Sequence, residues 1–279
     1  MIKAYGYIFY FVSTSLSRFH AAEYQDEDEP ISEGSVQGSI DIMTGIHATA
    51  KEVGLAATSE RIMRVAKRLR ERITPSQYKI EIKYLSETLE DELKTKGFLY
   101  IPDNSVGYYE NKHLFGRAVA KAFPLARFDI QEAGSALACG RYTATVFHLM
   151  CAAEHALRAL ANDRRVTLTT KAGTPFPTQM ATWEDVLRAL ETEIVKVSNW
   201  PKSKGDVKVQ ALQFYNSAIE ELRAIKDGWR NPVMHARTHY LKEDAEQVMA
   251  HVQRLMKGLS TRITETTRTP RVWTKAQLR

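Results

Sequence analysis

The segment that decides the fold is residues 224–235, AIKDGWRNPVMH. Before it, apolar residues recur at the three- and four-residue steps of one helical face, at Leu212, Tyr215, Ile219, Leu222, Ile225 and Trp229. Pro232 lacks a backbone N–H and disfavours helical geometry in the residue before it, so we expect this helix to end near Arg230. Asn231 is a favourable N-cap and proline a favourable first residue, so a short helix is expected to begin there.

Arg230 and His235 would then flank the N-terminus of the second helix. Free N–H groups and the helix dipole at such an end favour an anion. A guanidinium holds phosphate oxygens through a planar fork of donors, and an imidazole with an ordinary pKa of ~6.5 can accept or donate a proton. The segment therefore indicates phosphate chemistry.

The rest of the hydrophobic pattern predicts an all-α protein, without strand alternation or a repeat of fixed period. Residues 1–56, with an apolar start, an acidic run and a Gly/Ser-rich stretch, indicate a flexible leader or linker. Helical periodicity begins near Thr58, and we expect one long helix over residues 128–162. The expected divisions after the leader are an N-terminal helical extension, a helical bundle and a basic C-terminal tail, over residues 57–126, 127–260 and 261–279.

The apolar start, MIKAYGYIFYFV, resembles a weak secretory signal. Gly6 interrupts it, no convincing cleavage site follows, and it is far shorter than the ~20 residues that span a bilayer. We therefore expect a local strand or partly ordered leader, and no membrane association. Composition agrees with an ordinary globular protein, with 44% apolar and 26% charged residues. The net charge of +6 suits a polyanionic partner, although solubility alone would also explain it.

The two cysteines, Cys139 and Cys151, are expected to lie in one helix. A rise of ~1.5 Å per residue would place them roughly 18 Å apart, beyond disulfide reach. Unpaired thiols suit a reducing, cytoplasmic compartment. His235 and His239 are four residues apart, but no third ligand is evident and the sequence contains neither CxxC nor HExxH. We therefore expect no metal site.

A basic helix near residue 60 offers a second contact for nucleic acid. Arg61, Arg64 and Arg68 lie opposite the apolar stripe of that helix, and they could lie along a phosphate backbone. A solvated amphipathic helix with long cationic side chains is the favoured interpretation of the same pattern. Arg237, close after His235, is a further candidate for RNA contact.

The motif RNPVMH, between the last two helices of an all-α domain, resembles the signature of the HEPN superfamily. That signature is an Arg followed after a short spacer by a His, often with Asn, Asp or His directly after the Arg. The segments FHLMCAAEHALRALA (147–161) and KDGWRNPVMHARTHY (226–240) resemble bacterial HEPN proteins that also carry an N-terminal helical extension. The resemblance covers roughly residues 128–259.

This resemblance implies an up-and-down helical bundle that forms a homodimer and brings two motifs together in a composite site. It also implies metal-independent endoribonuclease activity, commonly in toxin–antitoxin or phage-defence systems, with an antitoxin or another regulatory protein as partner. RNA carries its own nucleophile, the 2′-OH, so cleavage needs a proton acceptor, a proton donor and charge stabilisation, but no cofactor. Arg230 and His235 are the expected catalytic residues, and Asn231 either orients them or caps the helix. The family's adenylylatable variant has a Tyr two residues after the His; Arg237 stands there in this chain, which argues against that mode of control.

Two acidic residues are candidates for positioning this motif. Glu154, inside the long helix, could orient Arg230 or His235 across the bundle, and Asp227 precedes Arg230 by three residues. In the opposing interpretation Arg230 is paired with Asp227 or Glu220, His235 is buried, and the domain is a non-catalytic module that binds RNA, a nucleotide or a protein. A third interpretation treats the motif as a helix break in a structural scaffold. The pair Arg141 and His148 is expected in mid-helix, where packing and solvation explain it.

Overall fold

The computed structural model describes residue 14 and residues 28–97, 99–170, 172–201, 205–235 and 239–266. These residues are mainly helical, with one antiparallel pair of two-residue strands, which confirms the all-α prediction. None of the described helices is long and apolar enough to cross a bilayer. The chain divides into two compact units, Met1–Phe98 and Leu99–Arg279. The boundary therefore falls at residue 98 instead of residue 126.

The first unit contains three helices, α1 (Glu33–Glu52), α2 (Ala56–Arg70) and α3 (Pro75–Lys94). Thr74 caps α3 through a capping box with Gln77. The carboxylate of Glu92, near the end of α3, accepts the N–H groups of Ala57 and Thr58 at 3.2 and 2.8 Å. This carboxylate satisfies the free donors of the first turn of α2, and it holds the two helices together.

The interpretation of residues 1–56 as a leader or linker is wrong from residue 33 onward. Helix α1 buries Ile40, Met43, Ile46 and Ala50, which form part of the core of the first unit. Three glycines and several polar residues obscured this spacing, because glycine lowers helix propensity by about 1 kcal/mol. Burial of the apolar face outweighs that cost. Residues 1–13 and 15–27 lie outside the described residues.

The second unit begins with α4 (Asp103–Val106), α5 (Arg117–Ala122), α6 (Arg127–Ala138) and α7 (Tyr142–Asp163). The single helix predicted over residues 128–162 is wrong, because the chain turns between α6 and α7. Gly140 has a φ of 68° there, in the left-handed region that glycine adopts without a steric penalty. Cys139 ends α6 and Cys151 lies in α7, so the estimate of their separation along one helix does not apply; both thiols are free.

The remaining elements surround α7. They are β1 (Leu168–Thr169), β2 (Pro175–Phe176), a 3₁₀ turn (Thr178–Met180), α8 (Trp183–Ser198), α9 (Gly205–Ile225), a π-helical segment (Lys226–Arg230), α10 (Asn231–Met234) and α11 (Lys242–Ser260). Helix α7 contacts α6, α8, α9 and α11. It is the central helix of the core, with Val146, Leu149, Ala153 and Leu157 fully buried.

The break predicted at Arg230 is wrong, because the helix continues through it. Ile225, Arg230 and Asn231 all have helical dihedral angles, and the N–H of Asn231 donates to the carbonyl of Lys226, five residues earlier. This π turn changes the hydrogen-bond register just before Pro232. The changed register tolerates a residue that has no N–H to donate. Asn231 is therefore not an N-cap. The helix ends near His235, so the expected anion-binding helix end does not exist.

The C-terminal tail is partly packed. Ile263 is buried, and the N–H of Glu265 donates to the carbonyl of Ala122 at 2.9 Å. Residues 261–266 therefore belong to the second unit, and the expectation of a separate tail is wrong for them. The remaining residues of the predicted tail, 267–279, lie outside the described residues.

A close backbone approach occurs at Gly134 in α6. A Cβ atom there would lie 2.6 Å from the carbonyl oxygen of Tyr108 and 2.7 Å from Cδ2 of Leu114. Gly258 in α11 has no such neighbour within 4 Å. The missing side chain at Gly134 lets the segment before α5 pack directly on α6.

We expect Gly134→Ala to lower the free energy of unfolding of the second unit by about 1–3 kcal/mol, because a backbone carbonyl must move to admit the methyl group. Gly258→Ala is the matched control, expected to be neutral or stabilising by up to about 1 kcal/mol. Urea unfolding of the full chain, followed by circular dichroism, measures both. Equal stability of the two variants would contradict the close packing at Gly134.

Candidate functional site

One side of α7 carries a polar stripe, although most of the helix is buried in the core. Its members recur at helical spacing and are titratable or polar: His148, Cys151, Glu154, His155, Arg158 and Asn162. Of these residues, only Glu154 is a functional candidate predicted from the sequence. The i, i+3, i+4, i+7 spacing of the stripe was available in the sequence, but the apolar face of the same helix dominated its interpretation.

Glu154 lies at the centre of a hydrogen-bond network. Its Oε1 accepts from Nη2 of Arg158 at 2.8 Å, and its Oε2 accepts from Nε1 of Trp183 at 2.9 Å. Arg158 also donates to the carbonyl of Ala181 at 3.0 Å. Burial opposes ionisation of Glu154, but these hydrogen bonds and the charge of Arg230 outweigh it and hold the pKa of Glu154 below its ordinary value. The network ties α7 to the start of α8.

Arg230 lies beside this stripe. It is half-buried on the π-helical segment, which contacts α7, and its charge lowers the pKa of both Glu154 and Cys151. No residue that the structure describes forms a hydrogen bond or an ion pair with the guanidinium. The charge of Arg230 thus acts on Glu154, and the proposed role of Glu154 in orienting Arg230 stays a prediction. Within the described part of the chain, the donors of this guanidinium are therefore unpaired.

Asp227 does not pair with Arg230. Its carboxylate lies 3.2 Å from the ammonium of Lys226, and its side chain is 59% exposed. Lys226 also forms a short ion pair with Glu184, at the first turn of α8. The hydrogen bond from Lys226 lowers the pKa of Glu184 to about 2. These contacts fasten the π-helical segment to α8, and Asp227 pairs with Lys226 instead of Arg230.

The opposite side of the π-helical segment is held by aromatic contacts. The ring of Trp229 lies 5.0 Å from the ring of His251 in α11, measured between centroids. The hydroxyl of Tyr240 donates to the carbonyl of Trp229 at 3.4 Å. Together with the Lys226–Glu184 pair, these contacts hold the π turn from both sides, and they fix the backbone that carries Arg230.

His235 is exposed at the end of the same helix, and its N–H donates to the carbonyl of Asn231 at 3.3 Å. It is not buried in the bundle. Five residues of α-helix rotate a side chain by about 140°, so Arg230 and His235 leave the helix in different directions. Asn231 is half-buried between them. Arg237 lies outside the described residues.

The other imidazoles of the stripe face carboxylates. Nδ1 of His148 lies 3.0 Å from Oδ1 of Asp129 in α6. The ring of His155 lies between Asp129 and Glu265, at 3.8 and 3.4 Å. The expectation that Arg141 and His148 share a mid-helix position is wrong, because Arg141 precedes α7. Among the described residues no group of three or more His, Cys, Asp or Glu side chains has an arrangement that could hold a metal ion.

The three arginines proposed for RNA contact lie in the first unit, and all of them are paired. Arg61 pairs with Glu81, Arg64 with Glu60, and Arg68 with Glu71. Neighbouring carboxylates therefore offset the positive charge along α2. This pairing favours the solvated amphipathic helix over a nucleic-acid contact.

Cys151 lies between the charges of this site. Burial raises the pKa of its thiol to about 11, with further increases from Asp129 and Glu154 and a decrease from Arg230. The thiol is therefore neutral at physiological pH, and its pKa changes when a nearby charge is added or removed.

Comparison with protein-family models, curated proteins and solved structures finds no match to this chain.

We expect Arg230→Ala to raise the pKa of Cys151 further, because a positive charge that favours the thiolate is removed. In a Cys139→Ser background, alkylation by iodoacetamide should be slower at each pH below about 11, and the midpoint of the rate profile should move to higher pH. Glu154→Gln should move the midpoint in the opposite direction.

Arg117→Ala is the matched control for that experiment. Arg117 is an exposed arginine at the start of α5, and its removal should leave the alkylation profile unchanged. If Arg230→Ala leaves the profile unchanged as well, the guanidinium of Arg230 does not lie beside the polar stripe of α7.

Proposed function

We propose that this protein is a metal-independent endoribonuclease of the HEPN type, with Arg230 and His235 as its catalytic residues. One observation carries the proposal. A half-buried guanidinium has no partner among the described residues, and an exposed imidazole follows it at the end of the same helix. In the opposing interpretation, Arg230 would be paired with an acidic residue and His235 would be buried. Neither arrangement is present in the described residues.

The reaction needs only groups that this site and its substrate supply. A base removes the proton of the RNA 2′-OH, and the 2′ oxygen bonds to the adjacent phosphorus. The bond from phosphorus to the 5′ oxygen breaks, and that oxygen takes a proton from an acid, which leaves a 2′,3′-cyclic phosphate and a 5′-OH. His235 serves as the base or the acid, a water molecule takes or gives the other proton, and Arg230 stabilises the charge that develops on the phosphate. Asn231 orients the phosphate between them.

A composite site is part of this proposal. Because five residues of ideal α-helix correspond to a rotation of about 140°, one helix is expected to present Arg230 and His235 poorly to a single phosphate. Two copies of the chain, facing each other across a two-fold axis, would bring Arg230 of one protomer to His235 of its partner. The cellular setting, a cytoplasmic toxin or phage-defence effector with an antitoxin, is proposed from the resemblance alone.

A non-catalytic module that binds RNA or a nucleotide is the second candidate. The divergence of Arg230 and His235 favours it, since a single copy of the chain does not assemble an acid–base pair on one phosphate. Cleavage assays separate the two candidates.

We expect purified protein to cleave total RNA in EDTA, and we expect His235→Ala to reduce the rate by about 10²- to 10⁴-fold. Arg230→Ala should cause a comparable loss, because the phosphate charge is no longer stabilised. His239→Ala is the matched control, since His239 is also exposed and lies four residues further along the chain. Inactive wild-type protein on varied RNAs, together with no toxicity on expression, would leave the binding module as the function.

The composite site predicts complementation between inactive variants. Equimolar Arg230→Ala and His235→Ala protein, unfolded and refolded together, should recover about one quarter of wild-type activity, because half of the dimers are mixed and each carries one intact site of two. Refolding each variant alone is the control. A monomer by light scattering, or no recovery from a mixture shown to contain mixed dimers, would rule out a site built from one Arg230 and the partner's His235.

A further inference from the structure

The polar stripe of α7 forms one wall of a cleft of about 560 Å³. Glu154, His155 and Arg158 contribute from α7, Asp129 from α6, and Glu265 from the C-terminal segment. A cleft of this size, with a few polar groups and perturbed titratable residues, has the character of a small-molecule site. The catalytic roles proposed for Arg230 and His235 do not account for it.

Two buried polar atoms of residues in this cleft have no hydrogen-bond partner among the described residues. The side chain of Glu265 is only 5% exposed; its Oε2 accepts the N–H of Leu125 at 2.6 Å, whereas its Oε1 accepts no hydrogen bond from the described residues and lies 3.4 Å from Nδ1 of His155. Nη2 of Arg158 is bonded to Glu154 and to a carbonyl, while its Nη1 has no partner. Buried polar groups without partners are costly, so each such group calls for an explanation. A ligand that pairs with both would explain them.

The charges of the cleft decide the class of ligand. Asp129 and Glu154 are carboxylates, and the guanidinium of Arg158 is already engaged with Glu154. An anion would be repelled by these carboxylates, so a phosphate does not fit this cleft. Leu125 and Ala159 add apolar surface. A neutral, planar ligand with hydrogen-bond donors and acceptors along one edge suits this combination.

We propose that this cleft binds a nucleobase of the RNA substrate, beside the phosphate that Arg230 holds. The inference rests on the proposed function, since it assigns the base next to the cleaved bond to this cleft. Glu154 and Cys151 line the cleft from α7, and the π-helical segment that carries Arg230 contacts the same helix, so the two regions are neighbours. Single-stranded RNA is commonly recognised in this way, with an unstacked base hydrogen-bonded along its edge.

Nη1 of Arg158 donates to an acceptor on the edge of the base, and the carboxyl group of Glu265 pairs with a neighbouring position. Burial raises the pKa of Glu265, and its Oε1 is an acceptor that a donor on the edge of the base can pair with. The imidazole of His155, which lies 3.4 Å from Oε1 of Glu265, covers that oxygen from the side of α7. A rotation of this half-buried ring admits the base to both groups.

Protection of Cys151 from a thiol reagent tests this inference without any cleavage step. The full chain, with Cys139→Ser, is labelled with N-ethylmaleimide in the presence of adenosine, guanosine, cytidine or uridine. We expect at least one nucleoside to slow labelling, by about tenfold when its concentration is ten times its Kd. Inorganic phosphate at the same concentrations should not protect. In the control protein, which carries Cys151→Ser and keeps Cys139, nucleosides should not change the rate at which Cys139 is labelled.

Two conservative variants assign the contacts. Arg158→Lys keeps a cation for Glu154 but loses the free Nη1, and Glu265→Gln keeps the shape of the side chain but changes its donors and acceptors. Each should weaken nucleoside protection by about three- to tenfold. Arg188→Lys and Glu220→Gln, at exposed positions outside the cleft, are the matched controls. Thermal melting by circular dichroism checks that every variant is folded.

Each alternative result overturns a stated part of the inference. If no nucleoside protects Cys151 at millimolar concentration, the cleft is not a base site. If phosphate protects as well as the nucleosides do, the cleft binds anions. Protection that survives both variants would show that Arg158 and Glu265 do not make the contacts. RNA cleavage without nucleoside protection rules out the base site and leaves the proposed ribonuclease function. Protection without cleavage leaves a site that binds a nucleobase and rules out the proposed ribonuclease function.

Discussion

The π turn over Lys226–Arg230 is the constraint on which the candidate site depends. Pro232 has no N–H to donate, and its ring conflicts with the carbonyl four residues earlier in an ordinary α-helix. Hydrogen bonding to the fifth residue back changes the register at this point, and the chain stays helical through the proline. Such turns are frequent at functional sites because they cost stability and must be held in place. Here the Lys226–Glu184 ion pair and the Trp229–His251 contact hold it.

A helix that continues past Arg230 changes the electrostatics of the motif. No free helix N-terminus is available to attract a phosphate, so the positive charge must come from side chains. Arg230 provides that charge next to Glu154, whose own charge is already balanced by Arg158. No residue in the described ranges pairs with the guanidinium of Arg230, and the network around Glu154 sets the position of α7 against α8.

The sequence predicted those features that depend on interactions between residues close together in the chain. The all-α class followed from the periodicity of apolar residues, and Glu154 was predicted to orient the motif because a charged residue stands out in an apolar helix. Pro232 was misinterpreted because local rules treat a proline as a break, whereas the π turn depends on α8 and α11 packing against both sides of the segment. Helix α1 was missed because its glycines lower propensity, and only the contacts of Ile40, Met43 and Ile46 with the core of the first unit compensate.

The packing of the C-terminal segment, residues 261–266, could not be predicted from the sequence either. Its contacts determine the order in which the cleft forms. Leu125 and Glu265 are joined by a hydrogen bond across 140 residues of sequence, so no local pattern could predict that they meet. Contacts of such long range close late, since the intervening chain must be ordered first. During synthesis, Glu265 leaves the ribosome after all the other residues of the cleft. A nascent chain therefore cannot complete the cleft until almost the whole of the second unit has been made.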